Sequence, residues 1–260
     1  MRRDDPHPRP LGRRPKNLTT EEAIYEKIGA ALDRFQEAHF WLHMVEQYYH
    51  VADPFRWHLN AFLRALKEVP QLLQMELQAH PGFKAWFASK RRALADDPLI
   101  GVLSRHRDFV VHRGMLVPNS TAMVGVTEGR GMKLGMTFPI HALEDSDHGM
   151  RRYLAVSKAH RDFLGILIPD EDSLPCVMRQ WRLPDFDDEI GEVCARAWLR
   201  LGETVGETLM WLGASPPPLS LDCRHASQEV HFKLYSRKTL TEWMATTESH
   251  PPVTPSTDEG

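Results

Sequence analysis

The stretch DPLIGVLSRHRDFVVHRG, Asp97 to Gly114, decides how the first half of this chain is read. Asp97 followed by Pro98 has the form of an N-cap and first helical residue. The carboxylate can accept from the first orphan N–H groups, and proline presets φ where its missing N–H costs nothing. At the other end Gly114 suits a C′ residue, which often needs a positive φ. The stretch is therefore predicted to be one helix, with Arg105, His106, Arg107, Asp108, His112 and Arg113 in its last turns.

Upstream, helix follows helix. Thr19 and Glu22 have capping-box spacing, and Ile28, Ala31, Phe35, Ala38, Leu42, Val45 and Tyr49 recur at spacings of three and four. This predicts a long first helix reaching about His50. Asp53 and Pro54 repeat the cap signal for a second helix, with a stripe of Phe55, Leu59, Phe62, Leu66, Val69, Leu73 and Leu77 and a kink at Pro70. HPG at 80–82 is a break, after which Phe83, Trp86, Phe87 and Leu94 start a third segment.

Downstream of Gly114 the texture changes. Two β-type runs flank EGRG, predicting a hairpin over about 120–140. A helix over about 147–167, a connector rich in Pro and Asp, and a helix over about 186–213 follow. In that last helix Ile190, Cys194, Ala197, Leu201, Val205 and Leu209 face inward. EVHFKLY, 229–235, alternates like a strand. The fold class is mainly α: a helical bundle with a small hairpin insertion, forming one domain over 18–245. The basic, proline-containing segment 1–17 and the Thr/Ser/Pro-rich segment 246–260 read as flexible tails.

Composition narrows the function classes. A net charge of −3 over 260 residues gives no general attraction to nucleic acid, so phosphate binding needs a local patch. Cys176, Cys194 and Cys223 are too few and too far apart for a disulfide framework. There is no signal-peptide pattern and no membrane-spanning run, so a cytoplasmic protein is expected.

On an ideal helix Arg105, Asp108 and His112 share one sector, whereas Arg107 and His112 lie about 140° apart. Those two would converge only if the helix frays or a second subunit completes the site. A histidine beside an aspartate is suited to proton transfer near neutral pH. A guanidinium is suited to a phosphate, because its planar fork offers paired donors. The bland reading is that Arg105, Arg107 and Arg113 complement the helix dipole while His112 packs beside Val111.

Three other features compete. His39, His43, Glu46 and His50 form a stripe with metal-ligand residue types, although Phe40 stands where a zincin needs Glu. Lys90, Arg91 and Arg92 could widen a basic patch toward a phosphate backbone. Trp86, Trp198 and Trp211 have helical core spacing and are expected to pack rather than stack on bases. HRDF recurs at 160–163, but Ile166 stands where a second motif would need histidine. It also lacks the downstream Asn of a kinase loop.

Arg107 through His112, RDFVVH, resembles the R-x4-6-H motif of the HEPN superfamily, with Asp108 at the polar position after the arginine. Arg105 fits the looser spacing. The resemblance spans roughly 20–114 and 186–213. It implies an all-helical bundle and metal-independent RNA cleavage in a homodimer, with no cofactor. His112 would be general acid or base for a ribose 2′-hydroxyl, and Arg107 would hold the scissile phosphate. Arg105, His106, Arg113 and Lys90–Arg92 would contact RNA. Such proteins often act as toxins or in antiviral defence, sometimes with an antitoxin or regulatory protein. Some are inactive modules that bind a protein or nucleotide.

Overall fold

The computed structural model describes residues 19–114, 116–128, 131–159, 174–219 and 230–247. It is mainly α with a small antiparallel sheet, as the periodicity predicts. The helices are α1 (Thr20–Lys27), α2 (Gly29–Gln47), α3 (Ala52–Leu77), α4 (Phe83–Asp96), α5 (Pro98–His112), α6 (Ser146–Ala159), α7 (Ile190–Leu212) and α8 (Arg237–Thr247). The strands are β1 (Asn119–Glu128), β2 (Gly131–Pro139), β3 (Pro175–Arg182) and β4 (Phe232–Leu234).

The capping box forms: Glu22 N–H donates to Thr19 Oγ1 at 3.2 Å, and Thr19 N–H to Glu22 Oε2 at 2.8 Å. The expected single first helix is two, broken at Ile28. Glu76 of α3 explains the restart, because its carboxylate accepts from the N–H groups of Ala30 (2.8 Å) and Ala31 (3.1 Å). It thus satisfies orphan donors at the start of α2. The apolar stripe survives the break, with Ile28, Ala31, Phe35, Ala38, Leu42, Val45 and Tyr49 all buried.

The second cap is also corrected. α3 begins at Ala52, and Asp53 lies inside its first turn, paired with the buried Arg56. A carboxylate 93 residues away does the capping, since Ala52 N–H donates to Asp145 Oδ1 at 2.7 Å. α3 then runs uninterrupted through Pro70, with Val69 and Leu73 fully buried on either side.

The hairpin is half of a four-stranded sheet in the order β2-β1-β3-β4, every pairing antiparallel. β3 falls where the connector was expected. Register places Val177 opposite Val124, Arg179 opposite Ala122 and Trp181 opposite Ser120, so these six residues share one face. The apolar end of that face packs with Met150, Tyr153 and Leu154 of α6 and Leu240 of α8. Trp181 belongs instead to the helical core of α1–α5 and α7. It stacks on Phe55 at 4.3 Å and donates its indole N–H to Tyr49 O at 2.8 Å. Trp181 is thus the joint between the sheet's core and the bundle's. α8 extends to Thr247, two residues into the segment expected to be a tail.

Candidate functional site

α5 forms as its sequence predicts. Asp97 Oδ1 accepts from Leu99 N–H (2.9 Å) and Ile100 N–H (3.1 Å), and Gly114 follows the helix with φ 147. Buried Ile100 and Leu103 hold the helix to the bundle, which leaves its last turns to carry polar residues.

Arg105, His106, Asp108, Phe109, His112 and Arg113 line an open cavity of about 560 Å³. Arg105, His112 and Arg113 are exposed, and Phe109 is 44% exposed. The sector of Arg105, Asp108 and His112 expected from helical geometry is thus one wall of a real depression. Arg107 does not line it. Its NH1 donates to Asp108 Oδ1 at 3.1 Å, while its Nε is buried without a hydrogen-bond partner among the described residues. Lys67 of α3 ion-pairs with the same oxygen of Asp108. The hydrogen bond from Lys67 holds the Asp108 carboxyl below its ordinary pKa against the opposing effect of burial, and the bond from Arg107 adds a smaller effect in the same direction as Lys67.

His106 points toward the connector between β3 and α7, with Nε2 2.9 Å from Asp185 Oδ2. Burial lowers its pKa, and the Asp185 carboxylate opposes that shift. Neither Lys67 nor Asp185 was identifiable as a site residue in the sequence. Each is an ordinary charge on its own element, brought to α5 only by packing.

The basic triplet of α4 stands apart. Lys90 Nζ lies 2.9 Å from Glu207 Oε1, Arg91 donates to Gln74 Oε1 at 2.7 Å, and Arg92 is exposed. None of the three lines the α5 cavity. Trp86 and Trp211 stack at 5.3 Å against the helical core and Trp198 is buried within it, as their spacing predicts.

The histidine stripe does not assemble a metal site among the described residues, although the rings of His39 and His43 lie 4.7 Å apart. His39 stacks on Trp198 at 4.7 Å, and His43 Nδ1 sits 3.5 Å from Glu46 Oε2. His50 is enclosed: Ser146 Oγ lies 2.8 Å from its Nδ1 and Val230 O lies 3.0 Å from its Nε2. Since a carbonyl only accepts, Nε2 carries the proton and Nδ1 accepts from Ser146. Burial, reinforced by the Lys233 charge, pushes the His50 pKa down to about 3. No group of three or more potential metal ligands comes together among the described residues. The second HRDF, 160–163, and Cys223 lie outside those residues.

A second groove of about 600 Å³ lies between α2, α7 and Pro216–Leu219, floored by the stacked rings of Phe35, Trp198 and His39. It shares no lining residue with the α5 cavity. Gly202, which lines it, leaves no room for a side chain, since a Cβ there would meet Leu219 at 2.7 Å and Phe35 at 2.9 Å. Among the described residues no helix is long and apolar enough to cross a membrane.

No curated protein and no solved structure matches the chain. Residues 27–130 match the model of a family described as bacteriophage lambda protein ea47. The similarity takes in α2 to α5, the cavity-lining turns and β1, and covers less than half of the sequence.

Proposed function

We propose that the protein is a HEPN-type, metal-independent endoribonuclease acting as a homodimer, in the manner of a toxin or antiviral effector. The observation that carries this reading is the joint lining of one open cavity by Arg105, Asp108, His112 and Arg113. An exposed imidazole beside guanidinium groups is the minimum needed to move a proton and hold a phosphate.

In this reading His112 takes the proton from a ribose 2′-hydroxyl, whose oxygen then attacks the adjacent phosphorus. The P–O5′ bond breaks, leaving a 2′,3′-cyclic phosphate, and the departing 5′-oxygen takes a proton from the partner's His112. Arg105, which shares the cavity with His112, is the better placed phosphate clamp. Arg107, bonded to Asp108, supports the wall from behind. A dimer would cover Phe109, and Phe109→Glu is expected to shift a dimer to monomer in light-scattering chromatography.

The test is cleavage of a mixed RNA pool in EDTA by the wild type, His112→Ala, Arg105→Ala and Arg107→Ala. Cyclic ends from the wild type, lost in His112→Ala and reduced about 100-fold or more in Arg105→Ala, are expected for an acid–base group and an anion clamp. A folded dimeric wild type that leaves every RNA intact sinks the proposal. That result would favour an inactive HEPN-type module binding a protein or nucleotide, a reading supported by the retention of Arg107 outside the cavity.

A further inference from the structure

Among the described lining residues of the α5 cavity, Asp108 is the one carboxylate in a wall that otherwise bears Arg105, Arg113, His112, the ring of Phe109, and His106, which is paired with Asp185. Its side chain is 46% exposed, so an unmatched charge there would face any entering phosphate. Lys67 prevents this. It reaches from the middle of α3, itself 26% exposed, and ion-pairs with the oxygen that also accepts from Arg107. Two cations therefore meet one carboxylate oxygen from outside the cavity.

We infer that Lys67 is a positioning residue of the α5 site: it neutralises Asp108 and draws it toward α3, so that the cavity presents a net positive wall to an RNA phosphate. The inference rests on the reading of this cavity as an RNA site, and it adds a residue from another helix. A purely structural staple is a poor alternative. α5 is already anchored by buried Ile100 and Leu103, and a partly exposed ion pair adds little stability. What the pair changes most is the local field.

Binding of a mixed-sequence 2′-O-methyl oligoribonucleotide, which lacks the attacking hydroxyl, separates recognition from cleavage. Measured by fluorescence anisotropy at fixed salt, Lys67→Met is expected to raise Kd about fivefold, and Lys67→Gln similarly, as loss of a nearby charge pair would. Lys67→Arg should bind like the wild type. The deciding variant is Lys67→Met/Asp108→Asn: with the carboxylate gone, the need for Lys67 goes too, and binding should return to within about twofold of the wild type. A staple lost from the fold would not be restored by Asp108→Asn.

Wild-type affinity in Lys67→Met, a double variant no tighter than Lys67→Met, or a wild type that does not bind the oligonucleotide would each overturn the inference. Cleavage of unmodified RNA is followed in parallel. Binding with the expected pattern but no cutting by the wild type would remove the ribonuclease reading and leave the role of Lys67 standing.

Discussion

His50 illustrates what a single residue contributes once its surroundings are known. In the sequence it is the last member of a metal-like stripe; in the fold it is a neutral, half-buried imidazole bonded to Ser146 Oγ and Val230 O. Its folded pKa of about 3 lies below the ordinary histidine value of 6.5. Between those values the unfolded chain binds the proton and the folded one does not. Stability from this group is therefore full above about pH 6.5 and falls on acidification toward pH 3, by about 1.4 kcal/mol per pH unit within the window. Urea unfolding at a series of pH values should show this slope, and His50→Gln should flatten it. An unchanged slope in the variant would mean that another group dominates. Residue type was legible here, but burial was not, because burial comes from β4's approach and the start of α6.

At the scale of elements, two helix starts make a controlled comparison. α5 is capped by its own Asp97, which also receives Arg200 Nε at 3.2 Å, and α3 is capped by the distant Asp145. Asp97→Ala and Asp145→Ala are each expected to cost about 1 kcal/mol in urea denaturation, the usual value of a lost cap. Only the first could be read from local sequence. At the other end of α5, Gly114 has φ 147 with open space around its missing Cβ. Gly114→Ala should therefore destabilise by about 1 kcal/mol or more through backbone strain alone. A loss much smaller than this would show that the turn after α5 relaxes, and with it the placement of His112.

For the whole molecule the central fact is that two cores meet at Trp181. The residue is fully buried, stacked on Phe55, and overlain on its sheet side by the Arg179 guanidinium at 3.6 Å. Trp181→Ala is expected to cost about 3–5 kcal/mol, as for other large core truncations. Circular dichroism during thermal unfolding would register it as a large drop in Tm. A loss below about 1 kcal/mol would mean that the bundle and the sheet do not depend on this joint.

Arg179 also explains why β3 was not legible in the sequence. Val177, Arg179 and Trp181 are buried while Met178, Gln180 and Arg182 are less so, a clean period of two. The inward arginine breaks the apolar alternation by which such a strand is recognised. It is tolerated because Ser120 Oγ (3.0 Å) and His141 O (3.3 Å) accept from it.

The sequence by itself determined the mainly α class, the apolar stripes of α2, α3 and α7, the cap and stop of α5, the hairpin, and the shared sector of Arg105, Asp108 and His112. All of these depend on contacts within a few residues, where helical and strand periods and cap chemistry act directly. Only the tertiary structure decided the division of the first helix, the cap of α3, the place of β3 in the sheet and the enclosure of His50. It also decided the attachment of Arg107 and Lys67 to Asp108. Apart from the bond between the neighbours Arg107 and Asp108, each of those rests on groups supplied from a distant element, and local sequence carries no record of which distant charge, carbonyl or strand the fold will bring near.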